Sequence, residues 1–159
     1  MFRDLRRKDR KIDVKKSEEI LTNGEFGILS TVGENGYAYG VPLNYVYYDN
    51  AIYFHCFVKD GHKLDNFKHS DKVSFCVVGE TEVIPEEFTT NYESVITFGK
   101  ISEVVGEAKI EPLKKLLEKY SEGFEEKGLK YIQSDVDKTG VYKIQIEHLT
   151  GKSNKQQGS

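Results

Sequence analysis

The feature that most constrains this chain is a series of short, β-rich runs separated by turn residues. The runs span residues 26–32, 37–48, 51–57, 73–78, 92–105 and 140–149. Their aromatic and β-branched residues favour strands, and Asn35-Gly36 and Asp49-Asn50 are typical of tight turns between strands. The last run alternates apolar and polar residues, which indicates a half-buried antiparallel strand. The short connections argue against a doubly wound fold and predict a β-dominated α+β fold, an antiparallel six-stranded barrel with peripheral helices.

Four segments are predicted to be peripheral helices. Asp13 can cap a short helix that ends near Gly24, which we expect in a left-handed conformation. Residues 62–67 predict a helical turn, and Glu111-Pro112 predicts the start of a helix whose leucines repeat at helical spacing. Residues 121–139 predict a second, shorter helix beside it. The helix that starts at Glu111-Pro112 is expected to cover one face of the barrel.

Two further segments interrupt the strands. Residues 79–91 are acidic and contain Pro85, so we expect a connecting excursion there. Gly99, inside the long fifth run, predicts a bulge or bend.

The 159 residues, 38% of them hydrophobic, suffice for one domain, predicted over residues 1–150, with a polar tail at 151–159. No apolar run is long enough for a membrane helix, and the charged N-terminus lacks the apolar stretch of a signal peptide. The sequence therefore predicts a cytoplasmic protein with no membrane partner. Cys56 and Cys76 lie in β-rich runs and are expected to be reduced and structural, with no metal site.

The charge pattern limits the partners. A net charge of −3 gives no overall basic footprint for nucleic acid. Residues 1–16 nevertheless carry eight Lys or Arg residues, a basic arm that either meets a phosphate or is solvated surface.

The loop that follows the third run is a candidate phosphate site. In Lys59-Asp60-Gly61-His62-Lys63, a glycine precedes a helical start, where free backbone amides and a lysine suit a dianion. Without a Walker pattern, a solvated turn is the alternative.

The second candidate is the segment from Tyr39 to Tyr45, where Pro42 interrupts a strand. Because proline donates no hydrogen bond to a ladder, it implies an edge or bulge with free backbone groups, which suit a flat heteroaromatic ligand. An equally supported interpretation is that Pro42 lies on an edge strand and prevents aggregation through that edge. His55, near the phosphate loop, is either a proton donor or substrate contact, or a hydrogen-bonded core residue.

Taken in order, several motifs resemble the nitroimidazole-resistance (Nim-type) branch of the pyridoxamine 5′-phosphate oxidase-like FMN-binding split-barrel superfamily. These motifs are Gly27-Ile28-Leu29-Ser30-Thr31, Tyr39-Gly40-Val41-Pro42-Leu43-Asn44-Tyr45, Ile52-Tyr53-Phe54-His55-Cys56, Gly61-His62-Lys63-Leu64-Asp65-Asn66, Lys72-Val73-Ser74-Phe75, Phe88-Thr89-Thr90-Asn91-Tyr92 with Ser94-Val95, and Ile146-Glu147-His148-Leu149-Thr150-Gly151-Lys152. Together they extend over nearly the whole chain.

The resemblance implies a split barrel that dimerises and holds FMN between the subunits. By this likeness, FMN contacts come from the strand residues Tyr39, Gly40, Val41, Pro42, Leu43 and Asn44, from Phe54 and His55, from His62 and Lys63 at the phosphate, and from Ser94 across the interface. His55 is the one candidate for a catalytic role.

Two departures accompany the resemblance. Nim-like sequences tend to carry a basic residue where this chain has Glu93. A phosphate or substrate charge there must therefore be neutralised by other residues, for example those of the basic arm. The aromatic and arginine that end the family's vitamin oxidases have no match, which argues against that activity. The sequence thus predicts an FMN-dependent, Nim-like reductase of a small molecule. A flavin carrier, a redox sensor, or a barrel binding heme or deazaflavin remain alternatives.

Overall fold

A computed structural model describes residues 2–57 and 60–154 of the chain. One antiparallel sheet in the order β3-β2-β6-β7-β8-β5-β4, with β1 beside β8, dominates the fold. The strands are β1 (Lys11–Ile12), β2 (Gly27–Val32), β3 (Ala38–Leu43), β4 (Val46–Tyr48), β5 (Ala51–Phe57), β6 (Lys72–Ile84), β7 (Thr89–Val104) and β8 (Thr139–Ser153). The sheet-dominated α+β class is confirmed.

The described residues contain eight strands, whereas six were predicted. One extra strand is β1, in the basic arm, which pairs with the end of β8. The other arises because the run at 37–48 is two strands: β3 pairs with β2, and β4 pairs with β5. Between these strands, Asn44 and Tyr45 connect the β3 edge of the sheet to the β4 edge.

Four α-helices lie around the sheet: α1 (Val14–Asn23), α2 (His62–His69), α3 (Ile110–Tyr120) and α4 (Glu125–Asp135). All four segments predicted as helical are confirmed. Asp13 caps α1 as expected, since its carboxylate accepts a hydrogen bond from the Lys16 amide at 2.7 Å.

The left-handed conformation predicted for Gly24 is wrong, because its φ is −59°. A side chain at this position would instead clash with the Val77 side chain and the Tyr45 hydroxyl. Close packing between the end of α1 and the sheet therefore favours glycine here.

The predicted turns are confirmed only in part. Asp49 and Asn50 both have positive φ, 51° and 53°, as a two-residue hairpin turn requires. At Asn35-Gly36 only the glycine does, with φ of 76°, and the Gly36 amide donates to the Gly33 carbonyl at 2.9 Å. A longer turn therefore joins β2 to β3.

The acidic segment at 79–91 is a β-hairpin rather than the predicted excursion. β6 and β7 pair as far as Ile84 and Thr89, and a short 3₁₀ turn at Pro85–Glu87 joins them. The irregularity predicted at Gly99 is confirmed by a register shift between β7 and β8 after Phe98, although the extra residue, Glu147, is on β8. β8 continues through residues 151–153 of the predicted tail, and residues 155–159 lie outside the described residues.

The inner surface of the sheet encloses the main hydrophobic core, and a helix closes each end. α1 contributes Leu21 at one end, where the buried Tyr45 hydroxyl donates to the Leu21 carbonyl at 2.6 Å. α2 contributes Phe67 at the other end, with its ring 5.1 Å from that of Tyr142. The interior is therefore filled by side chains, and any ligand site must lie outside it.

A second cluster lies on the outer surface of the sheet. Leu113 and Leu116 of α3, with Ile132 of α4 beside them, pack on Tyr53 and Val141 of β5 and β8. α3 and α4 thus cover the outer surface on one side of the sheet. Within the described residues, no helix combines the length and the apolar character needed to span a membrane.

We predict that Tyr45→Phe destabilises the fold by about 1–3 kcal/mol, since it removes a buried hydrogen bond from the joint between α1 and the sheet. Urea unfolding measures the free-energy change. Tyr37→Phe is the matched control because Tyr37 is 78% exposed, and it should change stability by less than about 0.5 kcal/mol. Equal stabilities of the two variants would contradict this role for Tyr45.

Candidate functional site

The predicted ligand strand, β3, lies at an edge of the sheet. Among the described strands β3 pairs with β2 alone, so its other edge leaves backbone groups free. Pro42 lies on this edge strand, which confirms the position that its missing amide predicted. The side chains of Tyr39, Val41 and Leu43 are half-buried, and those of Pro42 and Asn44 are exposed.

A second free edge belongs to β5. β4 pairs with β5 only as far as Tyr53, whereas β5 continues to Phe57. The edge of β5 from Phe54 onward therefore lies beside the point where β3 turns into β4. We call the gap between the β3 edge and this part of β5 the split.

α2 bridges one end of the split. The His62 ring stacks on the Tyr39 ring of β3 with centroids 4.1 Å apart, and on the core side of the sheet the Phe67 ring lies 6.4 Å from that of Phe54 of β5. The split is therefore bounded by β3, β5 and the beginning of α2. The sequence placed these three segments in one site, and the structure brings them together.

Among the described residues, the first amides of α2 have no hydrogen-bond partner. Gly61 precedes the helix and makes no side-chain cap, and its carbonyl accepts from Leu64 and Asp65 at 2.8 and 3.2 Å. The His62 and Lys63 amides come before these first intrahelical donors. Asp60 binds the Gly61 amide at 2.8 Å, and Lys59 lies outside the described residues.

Lys63 lies in the first turn of α2 and is half-buried. Burial raises the pKa of the Cys56 thiol of β5, and the positive charge of Lys63 partly opposes this effect. An anion at the start of α2 would therefore meet a positive side chain as well as two amides.

His55 faces a cleft under the two outer helices. The cleft, about 580 Å³ in volume, lies between β5 and the α3–α4 pair, and Asn44 and His55 line its inner end. Partial burial lowers the pKa of His55 below its usual value, so the neutral imidazole dominates at pH 7. Asn44 and His55 thus border both the split and the cleft.

Phe54 points in the opposite direction from His55, because neighbouring strand residues alternate between faces. Its side chain is fully buried in the core, and its ring lies 5.7 Å from that of Tyr142. Only the Phe54 backbone borders the split.

Ser94 lies apart from the other predicted site residues. It is on the outer face of β7, and β2 and β6 separate β7 from β3, a distance of about 14 Å at normal strand spacing. Within one chain, Ser94 does not reach the split.

The outer face around Ser94 is apolar and is left uncovered by α3 and α4. We call it the open face and define it by the exposed side chains of Ile28, Val32, Val78, Ile96 and Phe98. At its border the Phe2 ring stacks on the rings of His148 and Phe98, with centroid distances of 4.7 and 5.2 Å.

Glu93, the departure from the Nim-like pattern, is largely buried at the start of α1. Its carboxylate lies 3.7 Å from the Lys16 ammonium, at the end of the basic arm. The positive charge of Lys16 in the basic arm therefore offsets the negative charge of Glu93 within the same chain.

A known protein family matches this chain over most of its length. The model of the pyridoxamine 5′-phosphate oxidase family matches residues 13–153. This chain belongs to that family. No curated protein shows a significant sequence match.

Solved structures share the fold of this family member at low identity. A candidate 5-nitroimidazole antibiotic resistance protein from Bacteroides thetaiotaomicron is 19% identical, with a TM-score of 0.72 over 90% of this chain and 86% of that chain. An FAD-binding protein from Mesorhizobium loti is 18% identical, with a TM-score of 0.68 over 92% and 97%. An FAD- and heme-binding protein from Mycobacterium smegmatis is 14% identical, with a TM-score of 0.79 over 94% and 76%.

The wall of the cleft was missed by the sequence analysis. Leu117, Phe124, Tyr131 and Ile132 of the α3–α4 region line it opposite His55. Helical spacing predicted that the helix from residue 111 covers the sheet, but it held no signal for a gap between helix and strand.

We predict that the imidazole of His55 titrates with a midpoint below 6.5, because burial disfavours its charged form. Proton NMR of the histidine ring signals measures it, and His55→Gln assigns the signal. As the pH falls through 6.5, His55 is protonated in the unfolded chain before it is protonated in the folded chain. The parent protein should therefore lose more stability than His55→Gln between about pH 7 and 5. A midpoint at or above 6.5 would contradict the prediction.

Proposed function

We propose that this family member binds a flavin, FMN, in the split of a homodimer and uses it to reduce a small molecule. The observation that carries the proposal is the meeting of two free strand edges with the uncapped N-terminus of α2. The family match and the flavin-binding proteins that share the fold support it.

The residues of the split fit a flavin mononucleotide. Free backbone donors and acceptors along β3 suit the polar edge of a flat ring, and the exposed Pro42 and Asn44 leave room beside it. The His62 and Lys63 amides and the Lys63 ammonium suit the phosphate dianion. The β3 edge and the start of α2 are close enough for one ligand to contact both, since the Tyr39 and His62 rings are stacked on each other.

The apolar open face is the reason for proposing a homodimer. Its apolar side chains lie together on three neighbouring strands, which marks an interaction surface in a soluble protein. The Nε2 atom of His148 at its border is buried with no hydrogen-bond partner among the described residues. A second copy packed here would cover these side chains, and it would bring Ser94 of the open face to a neighbouring split.

A bound flavin supplies the electron-transfer chemistry, and the chain positions the reactants. The backbone along β3 would orient the ring, and Lys63 would neutralise the phosphate. His55, neutral at pH 7, can accept or hold a proton at the inner end of the cleft.

The visible absorption spectrum of the purified protein, with mass spectrometry of the released chromophore, tests the cofactor. Oxidised flavin is expected, and heme or deazaflavin would overturn the proposal; FAD would retain the flavin but correct the mononucleotide. Stopped-flow mixing of the reduced protein with small acceptors then tests turnover. Retained flavin without turnover would favour a carrier or sensor.

We predict that Lys63→Ala weakens FMN binding about 10- to 150-fold, because a charge-assisted phosphate contact contributes roughly 1.5–3 kcal/mol. Fluorescence titration of flavin-free protein with FMN measures the affinity. Lys68→Ala is the matched control, since Lys68 is on the same helix but exposed and paired with Asp65 at 2.9 Å. If both variants bind FMN like the parent, Lys63 does not hold the phosphate.

We predict that Ile96→Glu converts the dimer to a monomer, because it places a charge on the apolar open face. Size-exclusion chromatography with light scattering gives the mass, and circular dichroism confirms folding. Val105→Glu, an exposed site outside the open face, should remain dimeric. A dimeric Ile96→Glu protein would place the interface elsewhere.

A further inference from the structure

The cleft between β5 and the α3–α4 pair has the chemistry of a site for one class of small molecule. Its volume of about 580 Å³ lies within the range of ligand pockets in proteins. Its walls are formed by aliphatic and aromatic side chains, Leu117, Phe124, Tyr131 and Ile132. Among the described residues that line it, Lys127 is the one charged at pH 7.

Two of these aromatic side chains have little packing of their own. Phe124 is 66% exposed and Tyr131 is 68% exposed, although both line a concave surface. Aromatic rings left open on a cleft provide flat faces that can stack on a planar ligand. A ligand between them would remove apolar surface from water.

The cleft is shaped by close packing of its two helices. A side chain at Gly128 of α4 would clash with the Leu117 side chain of α3, so the helices meet closely at this point. Lys119 further ties α3 to the sheet, since its ammonium donates to the Tyr45 carbonyl at 3.1 Å. The cleft is therefore already formed in the folded chain before any ligand binds.

The cleft and the split meet at Asn44 and His55. Asn44 follows β3, and His55 lies on the part of β5 that borders the split. A molecule held by the aromatic rim would therefore extend toward the place where the flavin ring is proposed to lie.

We propose that this cleft binds the substrate and that the substrate is a neutral, planar aromatic molecule. The aromatic rim favours flat rings, and the scarcity of charge disfavours highly charged polar molecules, whose hydration would be lost without compensation. The role as a substrate site rests on the proposed flavin function, whereas the binding of a planar aromatic molecule does not.

The test measures binding of two probes to the purified full-length protein by isothermal titration calorimetry. The probes are 2-naphthol and decahydro-2-naphthol, which share a hydroxyl and a two-ring skeleton, but only the first is planar. We expect 2-naphthol to bind more tightly and to shift the ring signals of His55 in NMR spectra. Phe124→Ala and Tyr131→Ala should each weaken its binding about tenfold.

Tyr37→Ala is the matched control, because it removes an exposed aromatic ring outside the cleft and should leave naphthol binding unchanged. Equal binding of the two probes, or unchanged binding in both cleft variants, would overturn the proposal. So would an absence of naphthol binding, the result expected if a second copy of the chain fills the cleft.

Absorption spectra of the same samples separate this test from that of the flavin. A protein that retains flavin but binds naphthol without regard to Phe124 and Tyr131 refutes the cleft proposal alone. A protein that binds naphthol through these residues but takes up no flavin refutes the proposed function, and with it the substrate role, but leaves the cleft as a site for planar aromatic molecules.

Discussion

The arrangement of the candidate site depends on the crossing of the chain at Asn44 and Tyr45. Tyr45 is fully buried, and its hydroxyl is bonded to the Leu21 carbonyl of α1. Its backbone amide and carbonyl are bonded to the Tyr120 hydroxyl, at 3.0 Å each, rather than to a neighbouring strand. These bonds hold the chain where β3 ends and β4 begins. The split exists because β3 and β5 are separated at this point.

The outer surface of the sheet is divided between two roles. α3 and α4 cover the side formed by β4, β5 and β8, whereas the apolar side chains on β2, β6 and β7 stay accessible. The covered side holds the cleft and His55, and the accessible side holds Ser94. This division gives the proposed dimer a physical basis, since Ser94 and the split of one chain are too far apart to form a single site.

Local sequence patterns predicted the elements better than their connections. Alternation at residues 140–149, the Asp13 cap and Gly99 each act over a few residues, and each led to a confirmed element. The division of residues 37–48 depends on partners far away in the chain, such as Tyr120, and therefore left no local signal. The hairpin at 79–91 was missed because its acidic residues and Pro85 concealed the β-branched residues that pair across it.

The same limit applies to the candidate site. Pro42 and the Gly61-His62-Lys63 segment carry local chemistry, and the structure brings them to the two sides of one gap. The direction of the Phe54 side chain follows from which face of the sheet is enclosed, and the aromatic rim follows from how α4 packs on α3. Neither is contained in a short stretch of sequence.

The most direct test of the central claim is a crystal structure of the purified protein with its chromophore bound. We predict a flavin ring along the free edge of β3, with its phosphate on the His62 and Lys63 amides and Ser94 contributed by the second subunit. A flavin bound away from α2, or a dimer in which the open face is left uncovered, would contradict this account.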